Sequence, residues 1–146
     1  MKFSVSDVRR FSAIDSFHFS KALLARMSIK ELGILLSCLL PLVQVSENRY
    51  LIGATVKEIV VKTDRILIKG STGFEELNTF IARYALSECL IIWRIMQQRS
   101  LTYRETIVSL LKLKGAKPKL ITKYEREAST DVSDLFEVIA SLIKTK

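Results

Sequence analysis

The chain has 146 residues, 49% of them apolar, with 23 basic and 15 acidic side chains for a formal net charge of +8. That length suits one domain of common size, and so large an apolar fraction excludes a disordered chain, which combines high charge with low hydrophobicity. The basic excess favours acidic partners, whether phosphate backbones, anionic surfaces or acidic protein tails.

The first ten residues carry charge and no apolar run, so a secretory signal is not expected. The first predicted helix covers Asp15 to Met27, with Phe19, Ala22, Leu23 and Arg26 on one face. His18, the sole histidine, lies in Phe17-His18-Phe19, an aromatic setting that suits packing better than catalysis. The second helix opens at Ser28-Ile29-Lys30-Glu31, where serine and glutamate at capping-box spacing satisfy free amides reciprocally. Ile29, Leu32, Leu35, Leu36 and Leu39 form its apolar face, and Pro41 ends it. The fifteen uncharged residues Leu32 to Ser46 fall short of the about 20 that span a bilayer, so no membrane span is expected.

From Leu42 to Gly70 the pattern turns to strand. Leu42–Val45, Arg49–Gly53, Glu58–Lys62 and Arg65–Lys69 are rich in β-branched residues, and Thr63-Asp64 is short enough for a tight hairpin. A small antiparallel sheet follows, with Ile66 and Ile68 on one face and Leu67 and Lys69 on the other. Ser71-Thr72-Gly73-Phe74-Glu75 reads as the start of a helix capped by Thr72 and Glu75, continuing through Phe74, Leu77, Phe80, Ile81 and Tyr84. Leu90 to Met96 is apolar on nearly all sides; the absence of glycine and proline from Arg83 to Gln98 favours helix over strand.

Thr102-Tyr103-Arg104-Glu105 opens another capped helix that stops near Lys114-Gly115. Residues 116–126 read as a basic connector containing Pro118. The last helix, Asp131 to Lys144, places Val132, Leu135, Phe136, Ile139, Leu142 and Ile143 on one stripe. That stripe needs a cover, either its own domain or a second copy or partner protein. The fold expected is α+β, one domain over 1–146, with an antiparallel sheet at about 42–70 packed with four or five helices.

Cys38 and Cys89 show no metal-ligand spacing, no phosphate-loop motif exists among five glycines, and neighbouring Glu75 and Glu76 cannot face each other on a helix. The expectation is a protein without catalytic residues, cofactor or metal. Two basic clusters remain as binding candidates: Lys57, Lys62, Arg65 and Lys69 on the strands, and Lys112, Lys114, Lys117, Lys119, Lys123 and Arg126 around the connector. Tyr103 and Tyr124 flank the second without the aromatic interleaving of base-stacking proteins.

Arg49-Tyr50-Leu51-Ile52-Gly53, then Ile66-Leu67-Ile68-Lys69-Gly70-Ser71-Thr72-Gly73-Phe74, then Glu75-Glu76-Leu77-Asn78-Thr79-Phe80-Ile81 resemble the growth-arrest-specific-2-related (GAR) domain over about residues 49–84. The family's glycine triplet is reduced to Ser71-Thr72-Gly73 and its tryptophan is Phe74; the cysteines that follow the family's helix have no counterpart near Tyr84. The resemblance implies a small α+β module that binds microtubules through tubulin's acidic tails, in the cytoplasm. Nucleic acid, with nuclear residence, or a role as basic subunit of a larger assembly through the C-terminal helix, is the alternative.

Overall fold

The computed structural model describes residues 22–145. Most of the helix expected at 15–27, and His18, lie outside the described residues; a short helical turn at 22–25 seats Leu24 in the core. Helix α1 (Ile29–Cys38) is followed by strands β1 (Leu42–Ser46), β2 (Arg49–Ile52), β3 (Thr55–Lys62), β4 (Arg65–Gly70) and β5 (Gly73–Glu76). Helices α2 (Leu77–Arg99), α3 (Tyr103–Leu113), α4 (Pro118–Glu127) and α5 (Thr130–Thr145) complete the order. The fold is α+β: the strands form one antiparallel meander in chain order, and the helices pack with it.

Two of the three expected capping boxes are formed. Ser28 and Glu31 exchange hydrogen bonds at the start of α1, and Thr102 and Glu105 do so at the start of α3. Each satisfies two amides that the helix itself cannot. Thr102→Ala should therefore cost about 1 kcal/mol, read as a lowered midpoint in urea with an unchanged denaturant slope.

The third box is not formed. The segment expected to open a helix at Ser71–Glu75 is instead β5, paired with β4 through Lys69↔Phe74 and Ile68↔Glu75. Ser71 and Thr72 occupy a tight turn between Gly70 and Gly73, and Gly73 takes φ 140, which glycine adopts freely. Pairing with β4 holds Phe74 and Glu75 in extended conformation, so α2 starts only at Leu77. Among the described residues the sheet consequently has five strands and runs to residue 76.

Leu90 to Met96 is helical, within the 23-residue α2. Two buried clusters result. The larger joins α1, α2, α3 and α5 to β1 and β2, and holds Leu36, Leu51, Cys89, Ile92, Ile107, Phe136 and Ile139. The smaller sets Ile52, Ile59 and Ile68 beneath Phe80 of α2. Burial pushes the Cys89 thiol's pKa well up, and it donates to the Leu36 carbonyl at 3.4 Å, so it packs as a neutral side chain.

Glu88, at the middle of α2, holds the β2–β3 turn: its Oε1 accepts from the Ala54 amide at 2.9 Å and the Thr55 hydroxyl at 3.1 Å. Leu135, Phe136 and Ile139 of α5 are fully enclosed, with α5 packed on α1 and α3 of its own chain. Among the described residues no helix is long and apolar enough to cross a membrane.

Candidate polyanion-binding surface

The four strand cations do not share one face. Register pairs Lys62 with Arg65 and Lys69 with Phe74, placing Lys62, Arg65, Lys69 and Phe74 on the side turned away from Phe80. Lys57 projects on the opposite side, its Nζ 5.8 Å from the Phe80 ring centre. The alternation expected on β4 holds for Ile68, which is buried, and for exposed Lys69. Ile66 stays 46% exposed because it lies next to the hairpin tip, beyond the reach of α2, and Leu67 is buried on the lysine side.

Acids already answer part of this charge. Arg65 lies 3.4 Å from Glu76, and Lys69 lies 4.0 Å from Glu58. Lys62 rests 5.6 Å from the centre of the exposed Phe74 ring. Such surface pairs add little stability, but they lower the net positive potential that a partner would meet.

The second cluster is built differently. The connector 116–126, expected as a flexible link, is mostly helix α4, because Pro118 fits a first helical position and Leu120, Ile121 and Tyr124 recur at helical spacing. Ile121 is buried, and the helix packs on α3 and β1. A hydrogen bond from the Lys117 amide to the Val45 carbonyl at 3.3 Å anchors its start, and Arg104 donates to the Glu125 carbonyl near its end.

This packing leaves an ordered cationic face. Lys119, Lys123 and Arg126 are exposed at i, i+4 and i+7, one stripe about 10 Å long at 1.5 Å per residue. Lys112, Lys114 and Lys117, also exposed, line the corner where α3 turns into α4. None of the six makes an ion pair among the described residues. Lys117 and Lys119 sit at the positive end of the α4 dipole, where the first turn holds no acid and no side chain caps the helix. A helix N-terminus normally favours anions, so cations gathered there reinforce a field that an anionic ligand would neutralise.

The structure therefore keeps the two clusters apart: one on the β3–β5 end of the sheet, partly neutralised, and one along α4 beside β1. Tyr103 is buried, donating to the Leu39 carbonyl at 3.2 Å, and Tyr124 turns inward from the cationic stripe. Tyr124 was legible only as a flanking aromatic; its helical spacing from Leu120 and Ile121, behind Pro118, is the signal that marks it as an inward residue. Comparison with known proteins finds no matching family model, no matching curated protein and no matching solved structure.

Proposed function

We propose that this chain is a non-enzymatic binding module that holds a flexible acidic polymer on the α3–α4 corner, with the acidic tails of microtubules as the partner. The observation that carries this reading is the set of six exposed cations without acidic partners among the described residues, fixed on α4 and on the corner where α3 turns into it. Preset charges of one sign attract an oppositely charged chain without first breaking internal ion pairs. The GAR resemblance over about residues 49–84 supports tubulin tails as the partner and a cytoskeletal location. Nucleic acid is the competing partner, but the stripe on α4 offers no outward aromatic side chain on which bases would stack.

Co-sedimentation with microtubules at two salt concentrations tests the reading. Binding should weaken as salt rises and fall sharply on microtubules whose acidic tails have been removed. The triple variant Lys119→Glu, Lys123→Glu, Arg126→Glu should lose at least about tenfold in affinity, while Arg65→Gln with Lys69→Gln should lose about twofold or less, because those two charges are already answered. A gel shift run alongside separates the alternative: a nucleic-acid partner gives a steep log–log salt slope set by the phosphates neutralised. Failure to bind either polymer rejects the acidic-polymer reading outright.

A further inference from the structure

Beside the cationic stripe, the inner side of α4 forms one wall of a groove of about 500 Å3, within the range of ligand pockets. Its opposite wall is β1, with Leu42, Val43 and Gln44, and Leu39, Tyr103, Leu120 and Val132 also line it. Two independent features of this groove are unsatisfied. The first is the Tyr124 hydroxyl, which is shielded from solvent and has no hydrogen-bond partner among the described residues. Burial raises its pKa to about 12, so it stays protonated and able to donate.

The second is the backbone of β1. This strand is the first in the sheet order, so among the described residues only β2 flanks it. The Gly53 amide donates to the Pro41 carbonyl at 2.9 Å, which turns residue 41 toward β2. Alternation along an antiparallel ladder then turns Val43 toward β2 as well, and directs the amide and carbonyl of Leu42 and Gln44 outward into the groove. Neither residue takes a backbone partner outside the ladder among the described residues. The irregular register between Gln44 and Ser46 ends this open stretch, and the Val45 carbonyl beyond it is already taken by the Lys117 amide.

We propose that this groove binds a short extended peptide of a partner protein by strand addition to β1, the peptide carrying apolar side chains at alternate positions. The outward groups of Leu42 and Gln44 supply the ladder bonds, alternate side chains enter the apolar wall of Leu39, Leu120 and Val132, and the Tyr124 hydroxyl, shielded in the free chain, turns outward to donate to a peptide carbonyl. Lys123, which borders both the outer stripe and the groove, is offset on the groove side by Glu127, so the otherwise apolar lining gives an acidic segment no net attraction. This ligand is thus distinct from the acidic polymer on the outer face of α4. An exposed strand edge left open beside a groove is otherwise a hazard for the protein, and an unpaired buried hydroxyl lowers its stability.

The test uses the full chain and arrayed synthetic peptides bearing valine, leucine or phenylalanine at alternate positions. The strongest binder is then labelled and titrated, with amide shifts and hydrogen exchange followed at each residue. The expected result is binding that shifts and protects the Leu42 and Gln44 amides. Gln44→Pro removes the outward N–H without touching a β1–β2 ladder bond and should lower affinity by at least about tenfold, whereas Gln44→Ala, which loses only the side chain and its bond to the Glu47 carbonyl, should bind within about twofold of the wild type. Tyr124→Phe should weaken binding several-fold while raising the melting temperature, a combination that a merely structural hydroxyl would not produce. The proposal is overturned if no peptide in the array binds, if shifts map away from β1, or if Gln44→Pro or Tyr124→Phe binds like the wild type. It is equally overturned if Leu42 and Gln44 are already protected in the unliganded chain, since the edge would then be occupied by the protein's own residues.

Discussion

Phe136→Ala is expected to destabilise the protein by about 3–5 kcal/mol, the range for emptying a large aromatic from a packed core. Phe136 is 0% exposed, its ring centre 4.4 Å from that of Tyr103. Tyr103 in turn anchors the end of α1 through its hydrogen bond to Leu39, so the void would open where α1, α3 and α5 converge. At about 2–4 °C per kcal/mol for a chain of this size, the melting temperature should fall by about 10 °C. The measurement also decides what the C-terminal helix is for. A variant that keeps its melting temperature but changes its oligomeric state or loses a partner would make α5 an interaction element rather than part of the core.

The second large effect belongs to a single glycine. Gly53 takes φ 67 in the β2–β3 turn, and a Cβ there would lie 2.5 Å from the Cβ of Glu88. Gly53→Ala should combine about 1–2 kcal/mol for the left-handed backbone with about 1–3 kcal/mol for the clash against α2. Gly115→Ala is the internal control: its φ is 78, but nothing lies within 4 Å of the added carbon, so only the backbone cost of about 1–2 kcal/mol applies. The first clash is with the stem of Glu88 rather than its carboxylate, so Glu88→Ala should not rescue Gly53→Ala. Equal denaturation midpoints for the two glycine variants would show that the turn moves freely against the helix, contrary to the packing described.

Glu88 also explains why that packing was out of reach of the residue pattern. Its hydrogen bonds join residues 33 and 34 positions apart in the chain, and nothing local marks one glutamate among several as a turn anchor. Lys57 gives a similar lesson: alternation shows that strand cations divide between faces, but which face meets α2 depends on where Phe80 lands.

Local pattern alone determined a good part of this protein. Capping boxes at Ser28–Glu31 and Thr102–Glu105, the two-residue turn at Thr63-Asp64, and the apolar spacing of α1 and α5 specify their elements because each interaction lies within a few residues. Only the tertiary structure decided the fate of Ser71–Glu76 and of residues 116–126. A threonine and a glutamate at capping-box spacing make a helix only if the backbone between them is not taken, and β4 takes it by pairing with β5. The basic connector becomes an ordered helix because β1 and α3 offer a surface for Ile121 and Tyr124, and a bond from Lys117 to Val45 holds its first turn in place. The ten basic residues were visible one by one in the chain. Which of them meet acids, and which stand on α4 and its corner with no acid beside them among the described residues, is a matter of contacts between distant segments, and those arise only when the chain has folded.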